Sequence, residues 1–152
     1  VSPQEDYVEV EIKDLPGTDG RYANKYIEID NSKQRLYAWF GGQVQKEISI
    51  SGFGEGNEVF GVFLISDKQE EQRATTGEYM PYWMSYHYSP NIDSWYALHG
   101  LTWTFDDNSQ RIYESASNIG VRGTDESITI SEEDAKYIFD LLEKGDPILI
   151  HE

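Results

Sequence analysis

Short segments in which apolar and polar residues alternate recur along this chain of 152 residues, and they restrict the fold more than any other feature. Residues 26–30 (Tyr-Ile-Glu-Ile-Asp) alternate, and residues 35–40 (Arg-Leu-Tyr-Ala-Trp-Phe) are rich in aromatic strand formers. Gly41 and Gly42 separate this second segment from the alternating residues 43–51, which predicts a hairpin. Many short strands at close spacing predict a mainly β fold.

A longer apolar run and one amphipathic segment complete the pattern. Residues 59–65 are continuously apolar apart from one glycine, which predicts a strand buried on both faces. Ser131 is a favourable helix N-cap, Asp134 follows in a capping-box position, and Gly145 is suited to end the helix. We therefore expect an α+β domain with one helix near the carboxyl end, whose core-facing stripe contains Ala135, Ile138, Phe139 and Leu142.

The predicted elements divide the chain into two parts. Residues 1–24 are predicted to be a linker with a short edge strand, because residues 7–12 alternate and residues 15–20 (Leu-Pro-Gly-Thr-Asp-Gly) favour turns. Residues 25–152 are predicted to form one domain that is long enough to bury its own core. The amino end lacks a basic and apolar signal sequence. Because the chain begins with Val1, we expect it to be a processed or trimmed piece of a longer protein.

Composition excludes several functions. The chain has 12 Lys and Arg against 28 Asp and Glu, and its formal charge of −16 repels the phosphates of nucleic acids. It has no cysteine, which excludes disulfides, thiolate metal ligands and thiol catalysis. No apolar run approaches the roughly 20 residues of a membrane span, so no membrane insertion is expected within this chain.

The segment 124–135 (Thr-Asp-Glu-Ser-Ile-Thr-Ile-Ser-Glu-Glu-Asp-Ala) resembles the nucleophile motif of the L,D-transpeptidases, the YkuD-like domains. In that family the segment usually reads Ser-His-Gly-Cys-Ile-Arg-Leu-Ser, followed by Glu-Asp-Ala. The alignment places Ser127 at the nucleophilic cysteine, Asp125 at the histidine, Glu126 at the glycine and Thr129 at the arginine. The surrounding residues match the family, whereas the reactive groups differ from it.

Other segments resemble the same family in the same order. Residues 32–37 (Ser-Lys-Gln-Arg-Leu-Tyr) are similar to its opening strand pair, and Gly61 and Phe63 to its Thr-Pro-Thr-Gly-x-Phe element. Residues 80–84 (Met-Pro-Tyr-Trp-Met) resemble its substrate-side loop, residues 97–100 (Ala-Leu-His-Gly) its catalytic His-Gly, and residues 118–120 (Asn-Ile-Gly) its glycine turn. The interval between His99 and Ser127 is longer than is usual in the family, which predicts an inserted loop around residues 105–110.

The resemblance implies a β-sandwich-like domain in the cell envelope, outside the cytoplasm. Active members of the family transfer a peptidoglycan stem peptide through a cysteine thioester. By position, His99 corresponds to the catalytic histidine. Aromatic side chains in the substrate-side loop, together with the glycine after His99, are the expected ligand contacts: Trp83, Tyr86, Tyr82 and Gly100.

The departures from the motif leave three functions open. A catalytically degenerate module would bind peptidoglycan or an envelope protein in the old cleft. A serine-dependent peptidoglycan enzyme would need His99 as general base for Ser127 and a carboxylate such as Asp125 or Asp93 behind the ring, and the charge of Glu126 would oppose an oxyanion. A purely structural domain of a surface protein would bind no small ligand.

Several residues also have structural interpretations. His99 lies between Leu98 and Leu101 and is typical of a buried histidine that bonds a backbone carbonyl. His87 and His151 are expected to be exposed, and the three scattered histidines have no metal-ligand spacing, so no metal and no cofactor is expected. The aromatic band of residues 79–105 could bind a sugar or a peptide, or its side chains could pack in the core. The cluster of Asp106, Asp107 and Asn108 fits an acidic turn better than a calcium-binding loop.

Overall fold

The computed structural model describes residues 25–123 and 126–152. The linker and edge strand predicted for residues 1–24 lie outside the described residues, and so does Asp125. The described residues form two β-sheets and one α-helix, which confirms the predicted mainly β fold with a helix near the carboxyl end.

The first sheet has five strands in the order β3-β2-β1-β11-β4, and the second has the order β10-β7-β6-β8-β9, with β5 also paired to β6. The strands are β1 (Lys25–Asp30), β2 (Arg35–Phe40), β3 (Gln43–Ser49), β4 (Gly61–Leu64), β5 (Asp67–Arg73), β6 (Tyr79–Ser89), β7 (Ser94–Gly100), β8 (Trp103–Phe105), β9 (Arg111–Tyr113), β10 (Ile128–Ile130) and β11 (Pro147–His151). A 3₁₀ turn, Ala116–Asn118, precedes β10.

The hairpin between β2 and β3 forms where the sequence predicts it. Phe40 pairs with Gln43, and the two residues between them, Gly41 and Gly42, have φ values of 63° and 77°. A two-residue turn of this kind needs positive φ at both positions, which glycine adopts without a steric penalty.

The helix α1 (Glu132–Leu141) begins as predicted. The Ser131 hydroxyl accepts a hydrogen bond of 3.1 Å from the backbone N–H of Asp134. The helix ends earlier than Gly145, because Leu142 adopts an extended backbone after donating its N–H to Ile138. Ala135, Ile138 and Leu142 are fully buried, and Phe139 packs against the edge of the Tyr82 ring.

The core lies between the two sheets. Its largest fully buried side chains come from both sheets, from the helix and from the loop after β3, and they include Phe53, Ile29, Leu36, Leu98, Ile128, Ile138 and Ile148. The predicted strand at residues 59–65 is shorter than expected, and the prediction that it is buried on both faces is wrong. Strand β4 covers Gly61–Leu64 and is half-buried throughout, and among the described strands it pairs with β11 alone, at the edge of the sheet.

The residues around 105–110, where an inserted loop is predicted, form the turn of the hairpin of β8 and β9. One carboxylate oxygen of Asp106 accepts the backbone N–H groups of Asn108, at 2.8 Å, and Gln110, at 2.9 Å. The carboxylate therefore organises this exposed turn.

The prediction that His151 is exposed is wrong. This residue, the last of β11, is 0% exposed, and its Nε2 lies 2.7 Å from the Glu28 carboxylate of the neighbouring strand β1. The same carboxylate accepts a hydrogen bond of 2.9 Å from Trp39. A charged partner within hydrogen-bonding distance allows the imidazole to be buried.

This pair predicts a pH dependence of stability. Burial alone lowers the pKa of His151, but the hydrogen bonds to Glu28 and to the Glu152 carbonyl outweigh it, and the pKa lies above the usual 6.5. Because the folded state holds this proton more tightly than the unfolded state, the stabilisation is complete below about pH 6 and is lost as the pH rises through the folded pKa.

We expect the melting temperature of the wild type to fall between about pH 6 and about pH 8.5, and the slope to be reduced in His151→Gln. Thermal unfolding across this range, followed by circular dichroism, measures the effect. His87→Gln is the matched control, because the His87 ring packs at a tilt against the Phe63 and Tyr96 rings without a carboxylate partner among the described residues. Equal slopes in the wild type and His151→Gln would contradict the assignment.

Candidate functional site

A cavity of about 580 Å³ lies on the face of the second sheet opposite its core face. Alternate residues of β7, namely Trp95, Ala97 and His99, line it, whereas Leu98 between them is fully buried in the core. This is the side-chain alternation of a β-strand. Trp95 and His99 are four residues apart, so the cavity follows the strand for about 13 Å.

Strand β10 places the nucleophile-motif residues beside His99. β10 runs parallel to β7, and Thr129 is the Cα partner of His99. Ser127 lies two residues before Thr129, and both line the cavity, while the intervening Ile128 is buried in the core. The structure therefore brings His99, Ser127 and Thr129 to the same cavity, together with Glu126.

The His99 ring is held by the backbone. The residue is 3% exposed, and its Nδ1 lies 2.7 Å from the carbonyl oxygen of Gly100. A carbonyl oxygen only accepts hydrogen bonds, so Nδ1 carries a proton, and in the neutral ring Nε2 is the unprotonated nitrogen. This agrees with the structural interpretation of a buried histidine, and it is also the tautomer that a general base requires.

The cavity has an acidic lining. Four carboxylates line it against one basic side chain, Arg73: Glu78, Asp93, Glu114 and Glu126. Glu114 accepts the backbone N–H of Thr102 at 2.8 Å, Asp93 accepts the Tyr88 hydroxyl, and Glu78 accepts the Thr76 hydroxyl.

Glu126 differs from the other three carboxylates. Within the described residues it has no hydrogen-bond or ion-pair partner, and it is half-buried. Burial raises the pKa of the nearby Tyr96, and the negative charges of Glu126 and Glu58 raise it further. The Glu126 carboxylate thus adds negative potential beside Ser127.

A second, smaller cavity of about 160 Å³ adjoins the first. Ser127, Thr129 and Glu114 line both, so these side chains form the boundary between them. Arg122 lines the smaller cavity and is paired at 2.6 Å with Glu58 of the loop after β3.

The segment after β3 supports β10 from the side opposite β7. Ser51 and Thr129 exchange two backbone hydrogen bonds of 2.8 and 2.9 Å, and Gly123 donates to the Gly52 carbonyl at 2.9 Å. A Cβ atom on Gly123 would lie 2.7 Å from that carbonyl oxygen, so this close approach requires glycine. The position of Ser127 therefore depends on the segment from Ser51 to Phe53.

Of the four predicted ligand contacts, only Trp83 lines the cavity. Tyr86 is 4% exposed and its ring packs against Phe63 and Tyr96 in the core, so we leave it out of the site. Trp83 lines the cavity whereas Tyr86 is buried in the core, so the two side chains lie on opposite faces of the sheet.

The other two predicted contacts pack against the helix. The Tyr82 ring contacts Phe139 of α1. Gly100 is buried, and a Cβ atom there would lie 3.0 Å from Pro81 and 3.1 Å from the Glu132 backbone. Glycine at this position lets α1 approach β7 closely.

Several lining residues were not singled out from the sequence. Trp95 belongs to the aromatic band, and its position four residues before His99 on one strand was the available signal. Glu114 and Arg73 come from segments that match no motif. The hairpin β8–β9 and the end of β5 are brought to the cavity only by the tertiary structure, so the sequence contains no signal for these two residues.

Residues 24–150 match the model of the YkuD family, described as the L,D-transpeptidase catalytic domain. The chain belongs to the L,D-transpeptidase catalytic domain family. No curated protein matches the sequence significantly.

Solved L,D-transpeptidases share the fold at low sequence identity. One from Mycobacterium smegmatis has a TM-score of 0.63 at 14% identity, covering 85% of this chain and 59% of its own. A cysteine-to-serine mutant of the Enterococcus faecium enzyme has a TM-score of 0.59 at 24% identity, covering 90% and 54%. The catalytic domain from E. faecium has a TM-score of 0.53 at 22% identity, covering 83% and 95%. This chain thus spans less than two thirds of the first two structures and nearly all of the isolated catalytic domain.

No helix formed by residues 25–123 and 126–152 has the length and apolar character of a membrane span.

Proposed function

We propose that residues 25–152 form a catalytically degenerate L,D-transpeptidase domain that binds peptidoglycan as an extracytoplasmic module of the cell envelope. An envelope protein held in the same cavity is the alternative ligand. The observation that carries the proposal is that the cavity remains open, at about 580 Å³, in a chain that has no cysteine.

The chemistry of the site supports binding without turnover. A thiol with a pKa of about 8.5 gives a thiolate readily beside a histidine, whereas a serine hydroxyl is a far weaker acid. Acyl transfer also needs hydrogen-bond donors that stabilise the developing oxyanion. Loss of one such donor reduces the stabilisation of the transition state by about 2.7–4 kcal/mol. Glu126 instead adds negative charge next to Ser127.

The shape of the cavity supports an extended ligand. It runs for about 13 Å along β7, which is the length of about four residues of extended peptide. Trp83 and Trp95 line it, and such rings offer wide, rigid faces to sugars and peptides.

Trp83 provides the test of binding. We expect Trp83→Ala to weaken cosedimentation of the purified domain with intact peptidoglycan sacculi by about five-fold or more, since buried aromatic contacts dominate interfaces. Phe40→Ala is the matched control, because Phe40 is 49% exposed at the end of β2 and does not line the cavity. Equal binding of wild type and Trp83→Ala would remove the aromatic cavity from the proposal.

The second candidate function is a serine-dependent peptidoglycan transpeptidase or hydrolase. Ser127 and His99 line one cavity, and His99 Nδ1 is held by a carbonyl, which orients the ring as a general base requires. Such an enzyme would lose turnover in Ser127→Ala while keeping its thermal stability. A purely structural domain would neither bind sacculi nor change them.

A further inference from the structure

We propose that Tyr82 is a positioning residue: its contact with α1 holds an unfavourable backbone conformation within β6, and that conformation turns Trp83 into the cavity. The inference rests on the proposed function only in taking Trp83 as a ligand contact. It gives α1, which packs on the core side of the second sheet, a part in shaping the cavity on the opposite side.

The side chains of β6 change faces at Tyr82. In a regular strand alternate residues face the same side, so Met80, Tyr82 and Met84 would share one face. Met80 lines the cavity, whereas Met84 is fully buried in the core and Tyr82 packs against the core cluster. Trp83, between these two core-facing residues, lines the cavity. Continued alternation from Met80 would have turned Trp83 towards the core instead.

The backbone of Tyr82 accounts for this reversal, because its φ is 53°. The left-handed conformation is unfavourable for any residue with a Cβ atom and is an outlier for a bulky one. The pairs on either side, Pro81 with Glu71 and Trp83 with Gln69, keep one common register with β5. The reversal therefore comes from the conformation of Tyr82 and not from an extra residue in the strand.

The Tyr82 ring makes the contact that compensates for this conformation. It meets the Phe139 ring of α1 edge-on at a centroid distance of 5.5 Å, an arrangement that aromatic rings favour. Phe139 is itself fixed by Lys68 of β5, whose Nζ lies 4.1 Å from the ring centroid and donates to the Phe139 carbonyl at 2.6 Å. A strained conformation persists when the surrounding structure holds it in this way.

Pro81 fixes the strand immediately before Tyr82. The residue is buried, and its Cγ lies 3.0 Å from the place where Gly100 would carry a Cβ atom, next to the Glu132 backbone at the start of α1. The proline ring also fixes its own φ. Because Pro81 cannot absorb a change of conformation at Tyr82, such a change is transmitted to Trp83.

The test follows Trp83 directly, by fluorine NMR of the domain labelled with fluorotryptophan, and Trp83→Phe identifies its resonance. Tyr82→Ala loses the ring contact and keeps the strain of a Cβ atom. We therefore expect its Trp83 resonance to move, and sacculus binding to weaken by about five-fold or more, as in Trp83→Ala. Tyr82→Gly loses the same contact but adopts positive φ without penalty, so its Trp83 resonance should stay closer to that of the wild type. Tyr82→Phe keeps the ring and should retain both wild-type readouts.

Phe139→Ala tests the same contact from the helix. It should move the Trp83 resonance, although Phe139 does not line the cavity. Tyr137→Ala is the matched control, because it removes an aromatic ring of the same helix that contacts Lys46 of β3, and it should leave the resonance in place. The Trp39 resonance reports whether each variant is folded, since Trp39 stacks on Tyr26 in the first sheet.

Two results would overturn the inference: a Trp83 resonance at its wild-type position in both Tyr82→Ala and Phe139→Ala, or equal movements in Tyr82→Ala and Tyr82→Gly. If Tyr82→Ala does not fold, the result for Phe139→Ala decides. Sacculus binding separates this inference from the proposed function. Movement of the resonance as expected, in a domain that does not bind sacculi, refutes only the peptidoglycan ligand. Binding to sacculi without that movement refutes only the positioning role.

Discussion

Phe53→Ala is expected to lower the free energy of unfolding by about 3–5 kcal/mol, the range for removing a large aromatic side chain from a packed core. Phe53 is 0% exposed, and its ring meets the edge of the Tyr96 ring at a centroid distance of 5.8 Å. It follows directly after Ser51 and Gly52, whose backbones hold Thr129 and Gly123. The variant therefore weakens both the core and the support beneath Ser127.

Urea denaturation measures this loss through a lower midpoint at an unchanged slope. Phe40→Ala makes the same change at a half-exposed position and should stay within about 0.5 kcal/mol of the wild type. A decrease in the free energy of unfolding of less than about 1 kcal/mol for Phe53→Ala would show that this side chain contributes little to the stability of the core.

Gln34→Ala is expected to lower the free energy of unfolding by about 2–4 kcal/mol, because it leaves buried polar groups without partners. The Gln34 side-chain amide donates to the Asn31 carbonyl at 2.6 Å and to the Asn31 side-chain oxygen at 3.1 Å. Its oxygen accepts the backbone N–H of Gly52 at 2.6 Å. Gln34 is 7% exposed and Asn31 is 1% exposed, so little solvent is available to replace the lost bonds.

Gln43→Ala is the control for this change, because Gln43 is exposed at the start of β3. The same urea titrations apply, and the binding of sacculi by the folded Gln34→Ala protein reports whether the segment at Ser51 and Gly52 also supports the site. Equal stabilities of the two variants would mean that the hydrogen bonds of Gln34 contribute little.

The strands and the start of the helix could be predicted because their signals are local. The Gly41-Gly42 turn and the Ser131 cap depend on the conformations of a few adjacent residues, and the structure has both. The burial of β4 could not be predicted in this way, because an apolar run does not reveal that the strand pairs with only one neighbour in the described part of the chain. Burial of His151 likewise depends on Glu28, which is distant in sequence and adjacent only through the parallel pair of β1 and β11.

The site was predictable where it follows a motif. The motifs of the family resemblance singled out His99 and Ser127, and both residues line one cavity. Strand β6 shows why the ligand contacts were harder to assign: Tyr82 has φ of 53°, and the pairing with β7 shifts register between Ser85 and His87. These irregularities change which side chains face the cavity, so that Met80, Trp83 and Tyr88 all line it despite their uneven spacing.

The acidic lining could not be predicted from spacing at all. Glu114 reaches the cavity from the position just after β9, Asp93 from the turn between β6 and β7, and Glu78 from the loop before β6. Only the overall charge of −16 hinted at such an excess, and that charge is spread over the whole chain.

Incubation of the purified domain with intact sacculi, followed by mass spectrometry of the digested muropeptides, tests the central claim most directly. A cysteine-containing L,D-transpeptidase run in parallel shows that the sacculi are competent substrates. We expect the domain to bind the sacculi and to leave the muropeptide profile unchanged. New cross-links or trimmed stem peptides that disappear in Ser127→Ala would contradict a degenerate binding module and establish a serine enzyme in its place.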